Sequence, residues 1–296
     1  MSRRPDEGDR SALARVFFPP ELASQMDWEL GDASEGLVPP KLRILYSAWV
    51  RQEGRSAEDD RALVRLVMDR AREIVAHPSR PTRTSLEPFP RFPQGELALE
   101  ESLEESPVLR EPDDYLVERV DEKPFPCIAM VDLSSSMAGD KHLLASVAIA
   151  VLMLETPPRD CALTAFSSQS TTLKAMRDSQ GPEGSVLRFL RAVPRGFTNL
   201  RAGLEAGLKE YARGGRDRRR VGLLVTDGRA TEGGDPMEVA RRFDFLVVMH
   251  LHGPGSDVRG SRDLAAAGAG VCLEVERFED LPRRVYDAVR YIARRG

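Results

Sequence analysis

Beyond residue 123 the chain alternates short apolar runs with stretches of helical periodicity, and this alternation narrows the possible folds more than any other feature. The runs cover residues 125–131, 161–166, 221–225, 243–249 and 271–275; helical patterns fill 143–155, 186–192, 200–211, 262–267 and 281–294. Strand following helix in this order specifies βαβ units built around a mainly parallel sheet, with helices on both faces. The runs CIAMV and GLLVT lack polar alternation, as strands covered on both sides do. A segment of about 170 residues is long enough to bury one such core.

The upstream part reads differently. Residues 1–92 combine helical segments with proline-rich connections: Pro19-Pro20, Pro39-Pro40, then Pro78, Pro81, Pro88, Pro90 and Pro93. Apolar positions Leu63, Val64, Leu66, Val67, Ile74 and Val75 recur at helical spacing within 59–76, and Leu42, Leu45, Tyr46 and Trp49 share one face of a helix over 41–51. Between Glu96 and Glu118 nine carboxylates stand against Arg110 alone, the composition of a solvated helix and linker. The expected organisation is a small helical domain over 1–92, an acidic connecting segment over 93–122 and an α/β domain over 123–296.

Charge and cysteine usage weigh against several classes. Lys and Arg number 43 against 47 Asp and Glu, a net charge of −4, whereas a protein that neutralises many phosphates carries a basic excess. Only five of the basic residues are lysines: Lys41, Lys123, Lys141, Lys174 and Lys209. The first fifteen residues are charged and hold no apolar core of secretory length, and the longest apolar run, 143–154, is too short to span a bilayer. Cys127, Cys161 and Cys272 lie in separate strand-like runs without a CxxC spacing, so reduced core thiols and a cytoplasmic location are expected.

Ligands of open parallel sheets bind at the carboxyl ends of the strands. Three such ends carry hard oxygen side chains here. The first strand runs into Asp132-Leu133-Ser134-Ser135-Ser136, the run 222–225 ends in Thr226-Asp227-Gly228, and Gly196-Phe197-Thr198-Asn199-Leu200 opens a helix between them. Two carboxylates and three hydroxyls suit a small hard cation that keeps some water; without His or Cys in the group, zinc is a poor fit.

The D-x-S-x-S sequence, a distant Thr and a distant Asp, in that chain order, resemble the von Willebrand factor A (VWA) domains and their metal-ion-dependent adhesion site. The resemblance implies a Rossmann-like α/β domain. It also implies Mg²⁺ or Mn²⁺ held at Asp132, Ser134, Ser136, Thr198 and Asp227, the hydroxyls binding directly and the aspartates directly or through water. One position stays open for an acidic side chain of a partner. The acidic segment 95–104, the following EPDDYLVERV and the VDLSSSM strand end are similar to intracellular prokaryotic CoxE-like and magnesium-chelatase-D-like proteins encoded beside MoxR-type AAA+ ATPases. That likeness, over about residues 95–296, implies a non-enzymatic adaptor that helps such an ATPase remodel or metallate a client protein.

Other readings compete at several residues. The five site residues also suit helix caps and turns. His250 and His252, two apart near a strand end, point to a second metal site, a partner contact or a satisfied polar strand end. His142 either flanks the site or starts a helix, and Arg216–Arg220 either touches phosphate or forms a solvated loop. A serine hydrolase built from Ser134 or Ser136 with His142 and Asp227 lacks the G-x-S-x-G elbow, and no P-loop exists for ATP hydrolysis. A nucleic-acid-binding VWA protein is the competing functional class; an extracellular adhesin is disfavoured by the missing signal peptide.

Overall fold

The computed structural model describes residues 40–52, 54, 56–75, 82–91, 96–122, 126–214, 219–277 and 280–295. The proline pair at 19–20, Pro39, the charged N-terminus and Arg216–Arg218 lie outside the described residues.

The α/β expectation holds. Strands β4 (Cys127–Asp132), β5 (Cys161–Phe166), β6 (Ser170–Lys174), β7 (Val221–Thr226), β8 (Phe245–Leu251) and β9 (Val271–Val275) form one sheet in the order β6-β5-β4-β7-β8-β9. All neighbouring pairs are parallel except β5 with β6. Every residue of β4, β5, β7 and β8 is buried, which accounts for their unbroken apolar character. The first strand of the sheet lies in its middle, so successive connections leave it in opposite directions and open a crevice beyond the carboxyl ends of β4 and β7.

Helices α4 (Asp140–Glu155), α5 (Pro182–Arg191) and α9 (Leu281–Arg295) cover one face, packing on Cys127, Ala129 and Val131 of β4. Helices α6 (Leu200–Gly214), α7 (Pro236–Ala240) and α8 (Val258–Ala267) cover the other, on Ile128 and Met130. The two faces thus take alternate residues of each strand.

Upstream, the helical expectation is met but the division of the chain differs. Helices α1 (Pro40–Arg51) and α2 (Ala57–Val75) share one core with α4 and α5 instead of building their own: Tyr46, Trp49, Leu63, Val67 and Met68 join the cluster that contains Leu144, Ala148 and Phe189. The reason lies in α4, buried around nearly its whole circumference; a helix apolar on every side needs cover on its outer face too. Fully buried Asp60 locks the arrangement, accepting from Trp49 Nε1 at 2.9 Å and from the Arg191 guanidinium on α5.

The segment expected as a connector is also structured. Strands β1 (Thr82–Pro88), β2 (Glu96–Leu97) and β3 (Leu116–Glu122) form an antiparallel sheet in the order β1-β3-β2, and α3 (Leu99–Glu105) caps it through Ser102, whose hydroxyl accepts from the Leu116 N–H at 2.8 Å. The cysteines of β4, β5 and β9 are unpaired thiols, and burial pushes that of Cys161 up to about 12. Among the described residues no helix is long and apolar enough to cross a membrane.

Candidate metal centre

Strand β4 delivers Asp132 as its last residue, fully buried. One carboxylate oxygen accepts from the Ser134 N–H at 2.8 Å and the other from the Thr226 hydroxyl at 2.7 Å, at the end of neighbouring β7. Burial pushes this carboxyl up to about 6 against those hydrogen bonds, and the charge of Asp227 adds to the rise. The two acids therefore lie close enough for their charges to interact. After Asp132 the chain makes a short 3₁₀ turn, Ser135–Met137, which brings the Ser134 and Ser136 hydroxyls within 3.1 Å of each other. Ser134 is buried and Ser136 exposed, so the group opens to solvent on the serine side.

The second loop docks directly on the first. Arg195 donates its N–H to Leu133 O at 2.8 Å, and Gly196 O accepts from both the N–H and the hydroxyl of Ser135 at 3.2 and 3.1 Å. Thr198 is then held from the other side: its N–H donates to Thr231 Oγ1 at 2.7 Å, while its carbonyl accepts from Thr231 and Glu232. The neighbouring Phe197 is 63% exposed, an apolar side chain next to a polar site.

Asp227 follows β7 and is completely buried. Its backbone is fixed by Asp257 N–H donating to Asp227 O at 2.8 Å. Gly228 has φ +78°, and a Cβ there would lie 2.2 Å from Asp257 O and 2.4 Å from Ser261 Oγ, so only glycine fits. The Asp227 side chain accepts from Lys141 Nζ at 2.8 Å, a buried ion pair. All five residues named from the sequence thus sit on three interlocked loops at the carboxyl edge of the sheet. Their donor set is all oxygen, two carboxylates and three hydroxyls, and it fits a divalent cation.

Sequence reasoning missed Lys141 and Thr226. The Asp227 partner of Lys141 lies 86 positions away, and the one available signal was a lysine opening the most apolar helix of the chain. His142 does not join the centre; its Nδ1 pairs with the Tyr46 hydroxyl at 2.6 Å and its Nε2 lies 3.3 Å from Phe189 O, tying α1, α4 and α5 together. Burial lowers it to about 4. The serine hydrolase arrangement therefore lacks its base.

His250 and His252 separate in role. His250 is buried, lowered to about 4 chiefly by burial, and its Nδ1 pairs with Ser261 Oγ at 2.8 Å. His252 Nε2 lies 3.2 Å from Glu274, which also accepts from Arg262 at 2.9 Å. With Glu276 these two offer ligand atoms within 4.8 Å of one another, yet the Glu274 carboxylate is already shared between a histidine and a guanidinium. Of the 216–220 run, Arg220 grips Asp244 through its N–H at 2.7 Å and its guanidinium at 2.9 and 3.1 Å.

No family model matches the chain, and no curated protein does. Solved structures do. The conserved hypothetical protein BatB from Bacteroides thetaiotaomicron is 15% identical over 57% of this chain and 98% of its own, with a TM-score of 0.47. Proximal thread matrix protein 1 from the mussel byssus, with a zinc-occupied MIDAS motif, is 18% identical over 57% of this chain and 48% of its own, at 0.49. A von Willebrand factor type A protein from Catenulispora acidiphila is 13% identical over 60% and 45%, at 0.47.

Proposed function

We propose that this chain is a metal-dependent protein-interaction module of the VWA type rather than an enzyme, and that Asp132, Ser134, Ser136, Thr198 and Asp227 hold Mg²⁺ or Mn²⁺. What supports this reading is that the loops carrying those residues are hydrogen-bonded to one another at the carboxyl edge of the sheet, with Asp132 and Asp227 buried and Ser136 open to solvent. When bound, the dication supplies an electrophilic position for an oxygen anion, and an acidic side chain of a partner answers it best. The protein supplies the rest. Thr226 and the Ser134 N–H orient the Asp132 carboxylate, the Gly196 carbonyl locks the serine turn to the threonine loop, and Phe197 offers the partner an apolar contact beside the ion.

The favoured partner is a MoxR-type AAA+ ATPase, with the chain acting as adaptor to a client protein in the cytoplasm. The pattern of residues 95–136 supports this. So does α3, where Leu99 and Leu103 lie exposed one turn apart among Glu100, Glu101, Glu104 and Glu105, an unpartnered acidic-apolar face beside exposed Leu97. Co-purification of the full chain with a MoxR-type ATPase tests the reading. Wild type retains the ATPase in Mg²⁺ and releases it in EDTA, and Asp132→Ala fails to retain it; retention in all three conditions removes the metal from the function.

A further inference from the structure

Lys141 is paired through its side chain with an acid of this centre, and nothing in the reading above uses it. Its ammonium lies 2.8 Å from Asp227, its side chain is 7% exposed, and the acid it meets is completely buried. The surroundings are shaped for it. A Cβ on Gly253 would lie 2.5 Å from Lys141 Cε and 2.9 Å from Nζ, so the loop after β8 leaves the space through which the ammonium reaches Asp227. The helix offers no reason for a lysine there. Lys141 stands in the first turn of α4, where the positive end of the helix dipole disfavours a cation, so Asp227 accounts for its position.

We propose that Lys141 tunes this centre, weakening its hold on a bare cation and strengthening capture of a carboxylate once the cation is bound; the inference rests on the metal-site reading above. Formal charges show how. Asp132 and Asp227 carry two negative charges and Lys141 one positive, leaving a single negative charge. A dication turns that into one net positive charge, and an arriving carboxylate restores neutrality. Without the lysine, the loaded centre is already neutral and the carboxylate makes it negative. Lys141 therefore weakens metal binding by charge repulsion and reserves tight loading for the complex with an anion. By linkage, the anion must strengthen metal binding by the same factor that metal strengthens anion binding.

Titration of the full-length chain with Mn²⁺, followed by the EPR signal of the free ion with and without acetate as the carboxylate probe, tests this. Lys141→Met binds Mn²⁺ more tightly than wild type by about tenfold or more without acetate, since a unit charge and a dication a few ångströms apart repel appreciably even at near-aqueous dielectric. Acetate at a fixed subsaturating concentration tightens Mn²⁺ binding more in wild type and in Lys141→Arg, where the loaded centre is positive, than in Lys141→Met, where it is neutral. Gly253→Ala, which pushes the ammonium aside without altering the charge of the chain, shifts affinity in the same direction as Lys141→Met and covers the case in which that variant does not fold. Equal Mn²⁺ affinity in wild type, Lys141→Met and Gly253→Ala, or an equal acetate effect in wild type and Lys141→Met, overturns the role of Lys141. If Asp132→Asn still abolishes binding in that event, the metal site itself stands. Absence of saturable Mn²⁺ binding in every protein overturns both.

Discussion

Replacing Asp60 with alanine tests whether the N-terminal helices belong to the same cooperative unit as the α/β sheet. The carboxylate is buried on α2 and takes two donors, the Trp49 indole N–H at 2.9 Å and the Arg191 guanidinium of α5. A hydrogen bond to a charged group contributes about 1.5–3 kcal/mol. The arginine side chain is 58% exposed, so its ion pair adds only about 0.5–1 kcal/mol. Alanine also strands the indole N–H away from an acceptor, and the sum is about 3 kcal/mol. Asn at this position keeps an acceptor for the indole and loses the charge, so Asp60→Asn costs about 1–2 kcal/mol. Urea denaturation followed by far-UV circular dichroism and by fluorescence reads both numbers. The account predicts one coincident transition that moves to lower urea in both variants, further in Asp60→Ala. Two transitions, with the later one unmoved by Asp60→Ala, or a loss below about 0.5 kcal/mol, would refute the shared core.

Three further outcomes follow from the geometry. Gly228→Ala places a Cβ against the Asp257 carbonyl at positive φ, so thermal denaturation shows a loss of about 1–3 kcal/mol and Mn²⁺ affinity falls as Asp227 is displaced. His142 is held at about 4 in the fold against 6.5 when unfolded; the unfolded chain takes up the proton first, so stability present above pH 6.5 is lost as pH falls towards 4. Melting temperatures from pH 7.5 to 4.5 decline accordingly, and less steeply in His142→Gln, which carries no titrating group. Leu103→Asp on the exposed face of α3 weakens ATPase co-purification severalfold while leaving Mn²⁺ titration and melting temperature unchanged, because that side chain touches solvent and not the core.

What the sequence made legible was whatever rests on local pattern. The buried strands β4, β5, β7 and β8 and the half-buried β9 announce themselves as apolar runs, and four of the five oxygen donors stand at or just beyond strand ends where an open parallel sheet places its ligands. Strand β6 escaped notice because STTLK is a mostly exposed antiparallel edge strand with no apolar run to mark it. The β1–β3 sheet was hidden by charge: LVERVDE reads as linker until its partner strand is known. Periodicity located α1 and α2 to within two residues but carried no information about what their apolar faces meet, so a shared core looked like a separate domain. Lys141 was invisible for the same reason, since a lysine in a first helical turn looks solvated until the loop bearing Asp227 closes over it.

The central claim is that one divalent cation is held by Asp132, Ser134, Ser136, Thr198 and Asp227. Anomalous diffraction from crystals of the full chain grown with Mn²⁺ tests it most directly. The account predicts a single strong manganese peak enclosed by the Ser134, Ser136 and Thr198 hydroxyls and the two aspartates, absent from crystals of Asp132→Ala grown in the same way. No peak at that position in the wild-type crystals, or one confined to His252, Glu274 and Glu276, would contradict it.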